Sequence, residues 1–365
     1  MSLRCGIIGL PNVGKSTIFN ALTQSSVPAE NYPFCTIDPH VGVVPLPDSR
    51  LNRLSEIYRP KKVTPATVEF TDIAGLVRGA SRGEGLGNQF LGQIRQVAAI
   101  IHVVRCFEDD NTVHVEGSLD PVRDAELIET ELLIADIESL DKRIRVTEKA
   151  ARSNEKSNKE LVILNALLSH CNNGHRARTF PVDEDNVSLI HSLHLLTQKP
   201  ILYVANVDEN EIMHETRGPL CQSLFDFASK ENNLSIRLCG ALEQEIASLQ
   251  EEEKHLFLNE YNLFEQGLNK LIHAGFRLLG LETFFTGGPE EVRSWTIKNN
   301  TTAPKAAAEI HTDFERGFIK AEVFPYAKLD QLGSEKAVKE AGQIQLQGKN
   351  YVVQDGDCIF FHFNV

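Results

Sequence analysis

One short motif restricts the possible folds of this chain more than any other feature. Residues 9–16 read GLPNVGKS, which matches G-x-x-x-x-G-K-[ST]. They follow an apolar segment, residues 4–10, that predicts a buried strand, and the segment 17–23 after them predicts a helix. In this arrangement, backbone N–H groups of the loop and the N-terminus of the helix bind phosphate. The motif therefore predicts a P-loop nucleotide-binding domain.

The residue types of the motif suit phosphate and metal binding. The Lys15 ammonium can bridge the β- and γ-phosphates, so we expect a catalytic role for it, and the Ser16 hydroxyl can bind Mg²⁺. The predicted nucleotide contacts of the loop are Asn12, Val13, Gly14, Lys15, Ser16 and Thr17.

A second element of the same site follows downstream. Residues 67–73 predict a strand that ends in the D-x-x-G motif Asp72 to Gly75. An aspartate at this place holds a Mg²⁺-bound water, and the glycine amide senses the γ-phosphate. Thr36, which lies between the two motifs, is the candidate switch threonine. We therefore expect Mg²⁺ to be bound by Ser16 and Thr36, and by Asp72 through water.

The residue after this second motif is unusual. GTPases of the Ras type place a glutamine there to orient the attacking water, whereas this chain has Leu76. A leucine side chain forms no hydrogen bond, so the sequence predicts slow intrinsic hydrolysis or another group in that role. Residues 79–87 contain four glycines and predict a loop that orders around the γ-phosphate.

The base-binding segment also departs from the GTPase pattern. Residues 206–209 read NVDE where GTPases have Asn-Lys-x-Asp, so the lysine is lost and Glu209 replaces the aspartate that binds guanine. This change predicts weakened selectivity for guanine. The Asn206 amide and the backbone of Val207 can bind adenine. These four residues alone leave the preferred base open.

Apolar segments along the chain predict an α/β fold with a mostly parallel sheet and helices on both faces. The predicted strands are residues 4–10, 41–46, 67–73, 98–107, 200–207 and 235–240. Between the fourth and fifth of these segments the pattern becomes helical. Apolar residues at 133, 137, 140 and 144, and again at 161, 164 and 168, predict an antiparallel helical hairpin that resembles a short coiled coil.

The charge distribution limits the possible partners. The net charge of −13 excludes nucleic-acid binding by overall positive charge. Residues 142–159 nevertheless hold seven Lys or Arg against two Glu, which is either a solvated helix face or a surface that contacts RNA or the ribosome. The seven cysteines include no Cys-x-x-Cys pair, and no apolar run reaches about 18 residues. We therefore expect a cytoplasmic protein without a membrane partner.

Longer segments carry a family resemblance. Residues 31–39 (NYPFCTIDP) and 72–91, together with the altered motif at 206–209, resemble the Obg-like ATPases of the YchF subfamily. The resemblance implies a P-loop NTPase domain (1–125 and 199–280), a helical coiled-coil insert (126–198) and a C-terminal TGS-like domain of β-grasp type (282–365). It also implies ATP as the preferred substrate, Mg²⁺ dependence and association with ribosomes, where we expect contact with the large subunit.

The resemblance also implies a substitute for the missing glutamine. In this subfamily a histidine in the loop after the fourth strand has been considered for that role, and the matching residue is His114. A neutral imidazole can accept a hydrogen bond from the attacking water near pH 7. One departure from many relatives is Ala241, which stands in the place of a lysine near the base.

Three functions remain open from the sequence. The first is a ribosome-associated ATPase that hydrolyses ATP slowly as a conformational switch in translation or stress responses, with RNA contacts through residues 142–159 or the TGS-like domain. The second is a GTPase of the Obg type. The third is a redox-responsive regulatory protein with a largely structural nucleotide site, suggested by Cys35 beside Thr36.

Overall fold

The structure is a computed structural model that describes residues 3–24, 40–73, 86–108, 118–151, 154–261, 263 and 265–364. The chain divides into two compact units. The first consists of Met1–Gly42 and Glu69–Leu271, and the second of Val43–Val68 and Ile272–Val365. None of the helices in the described ranges is long and apolar enough to cross a membrane.

The nucleotide-binding motifs lie on a six-stranded sheet with the order β2-β4-β1-β5-β6-β7. With labels in chain order, its strands are β1 Arg4–Ile8, β2 Val41–Pro45, β4 Thr67–Asp72, β5 Ala99–Arg105, β6 Ile201–Asn206 and β7 Leu234–Leu238. The pairings of β1 with β4 and β5, of β5 with β6 and of β6 with β7 are parallel. Every residue of β5 and β6 is buried, as expected for strands covered on both faces.

Helices alternate with these strands, and all six predicted strands are present. Apart from residues 43–68, the helices up to residue 278 are α1 Lys15–Gln24, α3 Leu86–Gln96, α4 Pro121–Ala151, α5 Glu155–Asn172, α6 Val187–Ser192, α7 Glu209–Met213, α8 Pro219–Ser229, α9 Gly240–Ser248, α10 Glu251–Glu260 and α11 Gly267–Leu278. A 3-10 turn spans Ala177–Thr179.

Helices α4 and α5 form the predicted hairpin. Their shared core contains Leu133, Leu140, Ile144, Leu164 and Leu167, which include four of the residues that defined the helical spacing. Helix α4 begins at Pro121, earlier than the apolar repeat suggests. Proline suits the first turn of a helix because the N–H that it lacks would have no partner inside the helix. The first helix of the hairpin is therefore the end of a continuous 31-residue helix.

A buried ion-pair cluster ties α4 to the rest of its unit. The Glu129 carboxylate on α4 is fully buried and accepts hydrogen bonds from Arg178 Nη2 at 2.6 Å and Arg176 Nε at 3.3 Å. The same two arginines pair with Glu231, which follows α8, at 3.0 and 3.4 Å. Two carboxylates and two guanidinium groups thus compensate each other where water is excluded.

A second tie lies one to two turns further along α4. The buried Asp136 carboxylate accepts hydrogen bonds from the backbone N–H groups of Leu196 and Thr197, at 2.7 and 2.8 Å, and from the Thr197 hydroxyl at 2.7 Å. Burial raises the pKa of Asp136, and these bonds oppose the shift. The segment before β6 is therefore fixed to the middle of α4.

The second unit is a mixed six-stranded sheet with the order β11-β10-β12-β8-β9-β3. Its strands are β3 Lys62–Thr64, β8 Leu281–Thr286, β9 Glu291–Lys298, β10 Phe318–Pro325, β11 Gln345–Gln347 and β12 Asp357–Phe363. Its helices are α2 Ser49–Tyr58, α12 Ala303–Ile310, α13 Thr312–Arg316, α14 Tyr326–Leu332 and α15 Glu335–Glu340.

Each face of this sheet carries its own core. Phe284 and Phe361 pack with the alanines of α12 on one face, whereas Phe285 and Cys358 pack with α2 and α14 on the other. Residues 43–68, which the sequence assigned to the P-loop domain, belong to this unit, because β3 pairs in parallel with β9 and α2 contributes Leu51 and Leu54 to the second core. The division into three domains stays a prediction.

Candidate nucleotide-binding site

The P-loop connects the end of β1 to the first residue of α1, as the motif predicts. Two of its glycines are required by close approach of other atoms. A Cβ on Gly14, whose φ is +95°, would lie 2.3 Å from the Asn206 side-chain nitrogen. A Cβ on Gly9 would lie 2.4 Å from the backbone oxygen of Val103 on β5. The loop thus packs so tightly against β5 and β6 that only glycine fits at these two places.

Asn206, the last residue of β6, links the phosphate loop to α9. Its side chain is 4% exposed, donates a hydrogen bond to the backbone oxygen of Val13 at 2.9 Å and accepts one from the backbone N–H of Gly240 at 2.9 Å. The sequence predicts Asn206 only as a base contact. Because an amide nitrogen carries two hydrogens, one remains for an acceptor on a base after the bond to Val13.

Lys15 lies at the first position of α1, and its side chain folds back over the loop. The ammonium donates a hydrogen bond to the backbone oxygen of Leu10 at 2.9 Å, and the residue is only 8% exposed. Burial lowers the pKa of Lys15, while the negative charge of Asp72 acts in the opposite direction. The loop therefore holds a cation in place before any phosphate binds.

Ser16 and Asp72 face each other at the opening of the loop. The Ser16 hydroxyl lies 3.5 Å from Asp72 Oδ2. The other carboxylate oxygen, Oδ1, is buried and has no hydrogen-bond partner in the described part of the chain. A hydroxyl and a carboxylate oxygen are ligands that Mg²⁺ prefers, and a buried oxygen without a partner suits a water held by the metal. These two residues therefore fit a magnesium site.

At the predicted base-binding end of the site, one of the two backbone polar groups of Val207 already forms a hydrogen bond. Its N–H donates to the backbone oxygen of Leu238 at 2.9 Å. Asp208 caps α7 by accepting a hydrogen bond from the N–H of Glu211 at 2.7 Å, and Glu209 is exposed on the first turn of that helix. Ala241, also exposed, follows Gly240 in α9. Of the two backbone polar groups of Val207, the carbonyl is the one that the described residues leave for contact with a base.

A buried histidine beside this site was not predicted. His102 on β5 pairs with Ile8 of β1 and is 1% exposed. Burial lowers its pKa to about 3, and the charges of Lys15 and Arg178 act in the same direction. Its Nδ1 has no hydrogen-bond partner among the described residues. The sequence gives no signal for it, since His102 occurs within an ordinary apolar strand segment.

Several predicted site residues lie outside the described residues. These are Cys35, Thr36, Gly75, Leu76 and His114. The structure brings together Lys15, Ser16, Asp72 and Asn206 around one loop. Gly240, which holds the Asn206 side chain, was missed by the sequence reasoning, although the glycine that ends the strand predicted at 235–240 was the available signal.

Comparison with known proteins gives a consistent family. The chain is 51% identical over 366 residues to the ribosome-binding ATPase YchF of Haemophilus ducreyi, and 51% identical to the protein of the same name from Bacillus subtilis. Both alignments cover 100% of each chain. The chain belongs to the YchF family.

Two described families match different parts of this YchF chain. A family described as a 50S ribosome-binding GTPase matches residues 4–166, and the YchF GTPase C-terminal family, described as a protein of unknown function, matches residues 281–364. The solved structure of the Schizosaccharomyces pombe YchF GTPase is 37% identical, covers 99% of this chain and 97% of its own, and gives a TM-score of 0.90. The resemblance and the fold class, a P-loop NTPase fold with a YchF C-terminal domain, are confirmed.

Proposed function

We propose that this protein is a Mg²⁺-dependent ATPase that associates with ribosomes and hydrolyses ATP slowly as a conformational switch in translation or stress responses. The observation that carries the proposal is the convergence of Lys15, Ser16 and Asp72 on one P-loop. The names of the relatives, ribosome-binding ATPases, support the substrate and the partner. The absence of membrane-spanning helices from the described ranges is compatible with a cytoplasmic location.

Within this proposal each loop residue has a defined task. The backbone from Asn12 to Thr17 binds the phosphates at the N-terminus of α1, and the Lys15 ammonium moves from the Leu10 carbonyl to the β- and γ-phosphates. Ser16 and Thr36 bind Mg²⁺, with Asp72 acting through a water. When bound, the metal neutralises negative charge on the phosphates.

The preference for ATP follows from the Val207 carbonyl and the Asn206 amide. A carbonyl accepts a hydrogen bond from the N6 amino group of adenine, whereas it repels the O6 atom that guanine carries at the same ring position. The second N–H of the Asn206 amide can donate to N7, which both purines possess. Glu209 stands in the place of the aspartate that selects guanine, but its side chain is one methylene longer and is exposed on the first turn of α7.

For hydrolysis, the proposal assigns water positioning to His114 because Leu76 cannot perform it. The loop that carries His114 follows β5, whose carboxyl end lies on the same side of the sheet as the P-loop. Without a glutamine in its usual place, turnover is slow, and the bound state persists long enough to act as a signal.

The ribosome contact that we propose lies on the tip of the hairpin. Lys142, Arg143, Arg145, Lys149, Lys156 and Lys159 are all exposed there. Their ion pairs are long and solvent-exposed, such as Lys159 with Glu155 at 3.8 Å, so they leave most of the positive charge available to phosphates of RNA. The TGS-like domain is the second candidate for RNA contact.

One specific observation favours the GTPase alternative. The yeast structure and the family that matches residues 4–166 are both described as GTPases, whereas the bacterial relatives are described as ATPases. We favour ATP because this chain lacks the lysine and the aspartate that bind guanine. The redox alternative depends on Cys35; the six described cysteines are buried, and burial raises the pKa of Cys5 to about 12.

Calorimetric titration of the full chain with ATP and with GTP, each with Mg²⁺ and with EDTA, tests the nucleotide assignment. We expect ATP to bind about 10-fold or more tightly than GTP, a difference of about 1.4 kcal/mol or more, and EDTA to weaken both. Equal affinities, or a preference for GTP, would support the Obg-type alternative. The partner is tested separately by ribosome co-sedimentation with ATP, GTP and a non-hydrolysable ATP analogue, where indifference to the nucleotide would contradict the switch.

A further inference from the structure

The second unit contains a strand that extends beyond its neighbour. On one side, β12 pairs with β10 along its whole length, from Asp357 to Phe363. On its other side, β12 is parallel to β8, and in the described part of the chain the two strands pair at Cys358 and Phe285. Strand β8 ends at Thr286, where the chain turns away towards β9. In the described part of the chain, the end of β12 therefore has no strand beside its outer edge.

A groove of about 480 Å³ lies along this edge. Its lining includes Cys358, which belongs to the core on one face of the sheet, and Phe361, which belongs to the core on the other. A groove lined by both faces runs along the edge of a strand rather than across a face. Its remaining walls are largely aromatic, with Trp295, Phe314 and Phe360 among them.

The groove is open to solvent, and the charged residues of its described lining are acidic. Phe360 is 61% exposed and Phe363 40% exposed, and both belong to the last four residues of β12. The described lining residues include Glu290, Glu291 and Glu335 and no lysine, arginine or histidine. Glu290 pairs with Lys61 at 2.8 Å and Glu291 with Lys62 at 3.5 Å, in exposed ion pairs that contribute little, and Glu335 accepts a hydrogen bond from the Tyr58 hydroxyl. Arg293, which lies over the Trp295 ring, is outside the groove lining. The rim therefore keeps negative charge and favours a positively charged partner.

We propose that this groove, formed by the outer edge of β12 and the turn after β8, binds an extended peptide segment with alternating apolar and basic side chains. The peptide would add a strand beside residues 360–363 through main-chain hydrogen bonds, as in β-augmentation. Its apolar side chains would pack on the aromatic walls, and its basic side chains would face the glutamates. This site is separate from the nucleotide site and does not depend on the function proposed for it.

Trp295 provides a direct readout, because it lines the groove and is the single tryptophan of the chain. The full-length protein is titrated with a capped synthetic peptide of about ten alternating valine and lysine residues while tryptophan emission is followed. We expect a saturable change in emission. The matched peptide with glutamate in place of lysine should bind about 10-fold more weakly, and so should a lysine peptide with N-methyl groups on alternate backbone nitrogens.

Two substitutions at exposed positions complete the test. Phe360→Ala should weaken peptide binding about 5-fold or more, and Leu346→Ala, at an exposed apolar residue on β11 outside the groove, should leave it within about twofold. The proposal is overturned if the lysine peptide gives no saturable change, if N-methylation or the exchange of lysine for glutamate has no effect, or if both substitutions act equally. Titration of Phe360→Ala with ATP, expected to be unchanged, keeps this result distinct from the nucleotide proposal.

Discussion

The side chain of Asn206 donates a hydrogen bond to the backbone carbonyl of Val13, a residue 193 positions earlier in the chain, at 2.9 Å. Its other end accepts a hydrogen bond from Gly240. One amide therefore joins the segment that we propose as the base contact to the P-loop. Both bonds are buried, so a movement of either part that breaks one of them leaves a buried polar group without a partner.

The first prediction concerns this link. Asn206→Ala leaves the Val13 carbonyl and the Gly240 N–H buried without partners, which should lower the free energy of unfolding by about 1–3 kcal/mol and weaken ATP and GTP binding together. Denaturant unfolding and nucleotide titration measure the two effects. Asn350→Ala, at an exposed residue of the second unit, is the control. Normal stability with selective loss of ATP binding would show that Asn206 contacts only the base.

Gly14 is the second test of the same packing. In Gly14→Ala the new Cβ would collide with the Asn206 side-chain nitrogen, and its φ of +95° is strained for alanine. We expect a loss of stability of about 1–3 kcal/mol and nucleotide affinity reduced at least about 10-fold. Gly348→Ala, at a glycine with no atom within 4 Å of the added carbon, should change neither quantity. Similar losses in both variants would mean that the contact with Asn206 is unimportant.

Substitution of Lys15 should lower nucleotide affinity without lowering the stability of the unliganded protein. Lys15→Met removes the cation that reaches the phosphates, so nucleotide affinity should fall about 100-fold and turnover should be lost. The unliganded protein should be as stable as before or slightly more stable, because burial already disfavours this ammonium and lowers its pKa. Thermal unfolding without nucleotide measures this, with Lys230→Met at an exposed residue as control. Near-normal hydrolysis by Lys15→Met would place the site elsewhere.

His102 predicts how stability depends on pH. The folded protein lowers the pKa of His102 from 6.5 to about 3, chiefly by burial. Between these values the unfolded chain binds a proton that the folded chain does not, so stability should fall as the pH decreases from 6.5 towards 3. The slope from this one group is about 1.4 kcal/mol per pH unit. Above pH 6.5 its contribution should be constant.

The measurement compares unfolding free energies of the native chain and His102→Leu from pH 7.5 to 4.5. Because other groups titrate in both proteins, only the difference between the two curves reports on His102, and it should change with the predicted slope below pH 6.5. His191→Leu, at an exposed histidine, should give a curve parallel to that of the native chain. Parallel curves for His102→Leu as well would refute the buried neutral state.

The sequence was sufficient where a local pattern determines the structure. The six strands of the first sheet and the α4–α5 hairpin follow from apolar runs and helical spacing. Strand β3 was missed because its first two residues, Lys62 and Val63, are exposed and it has only three residues. Strand β8 was overlooked at the boundary between two predicted domains.

The candidate site, too, could be predicted from the sequence only where its residues belong to a local motif. Lys15 and Ser16 belong to one motif and Asp72 to a second, so their chemistry could be inferred from spacing. The dual role of Asn206 depends on Val13 and Gly240, which are brought to it only by the fold. His102 is hidden for a similar reason, because its surroundings come from separate elements and the sequence beside it resembles that of any buried strand.

The long helix α4 has a mechanical consequence. Its 31 residues span about 46 Å, and the ties at Glu129 and Asp136 both lie in its first half. A bend with its fulcrum near Asp136 would make the remaining 15 residues, about 22 Å, a lever arm together with α5, opposed by the contacts of Ser139 with Arg95 and of Leu140 with Leu195. A rotation of about 5° at that fulcrum would displace the basic tip by about 2 Å, and a rotation of the whole helix about its start would displace it by about 4 Å. Small rearrangements at the base are thus magnified at the far end.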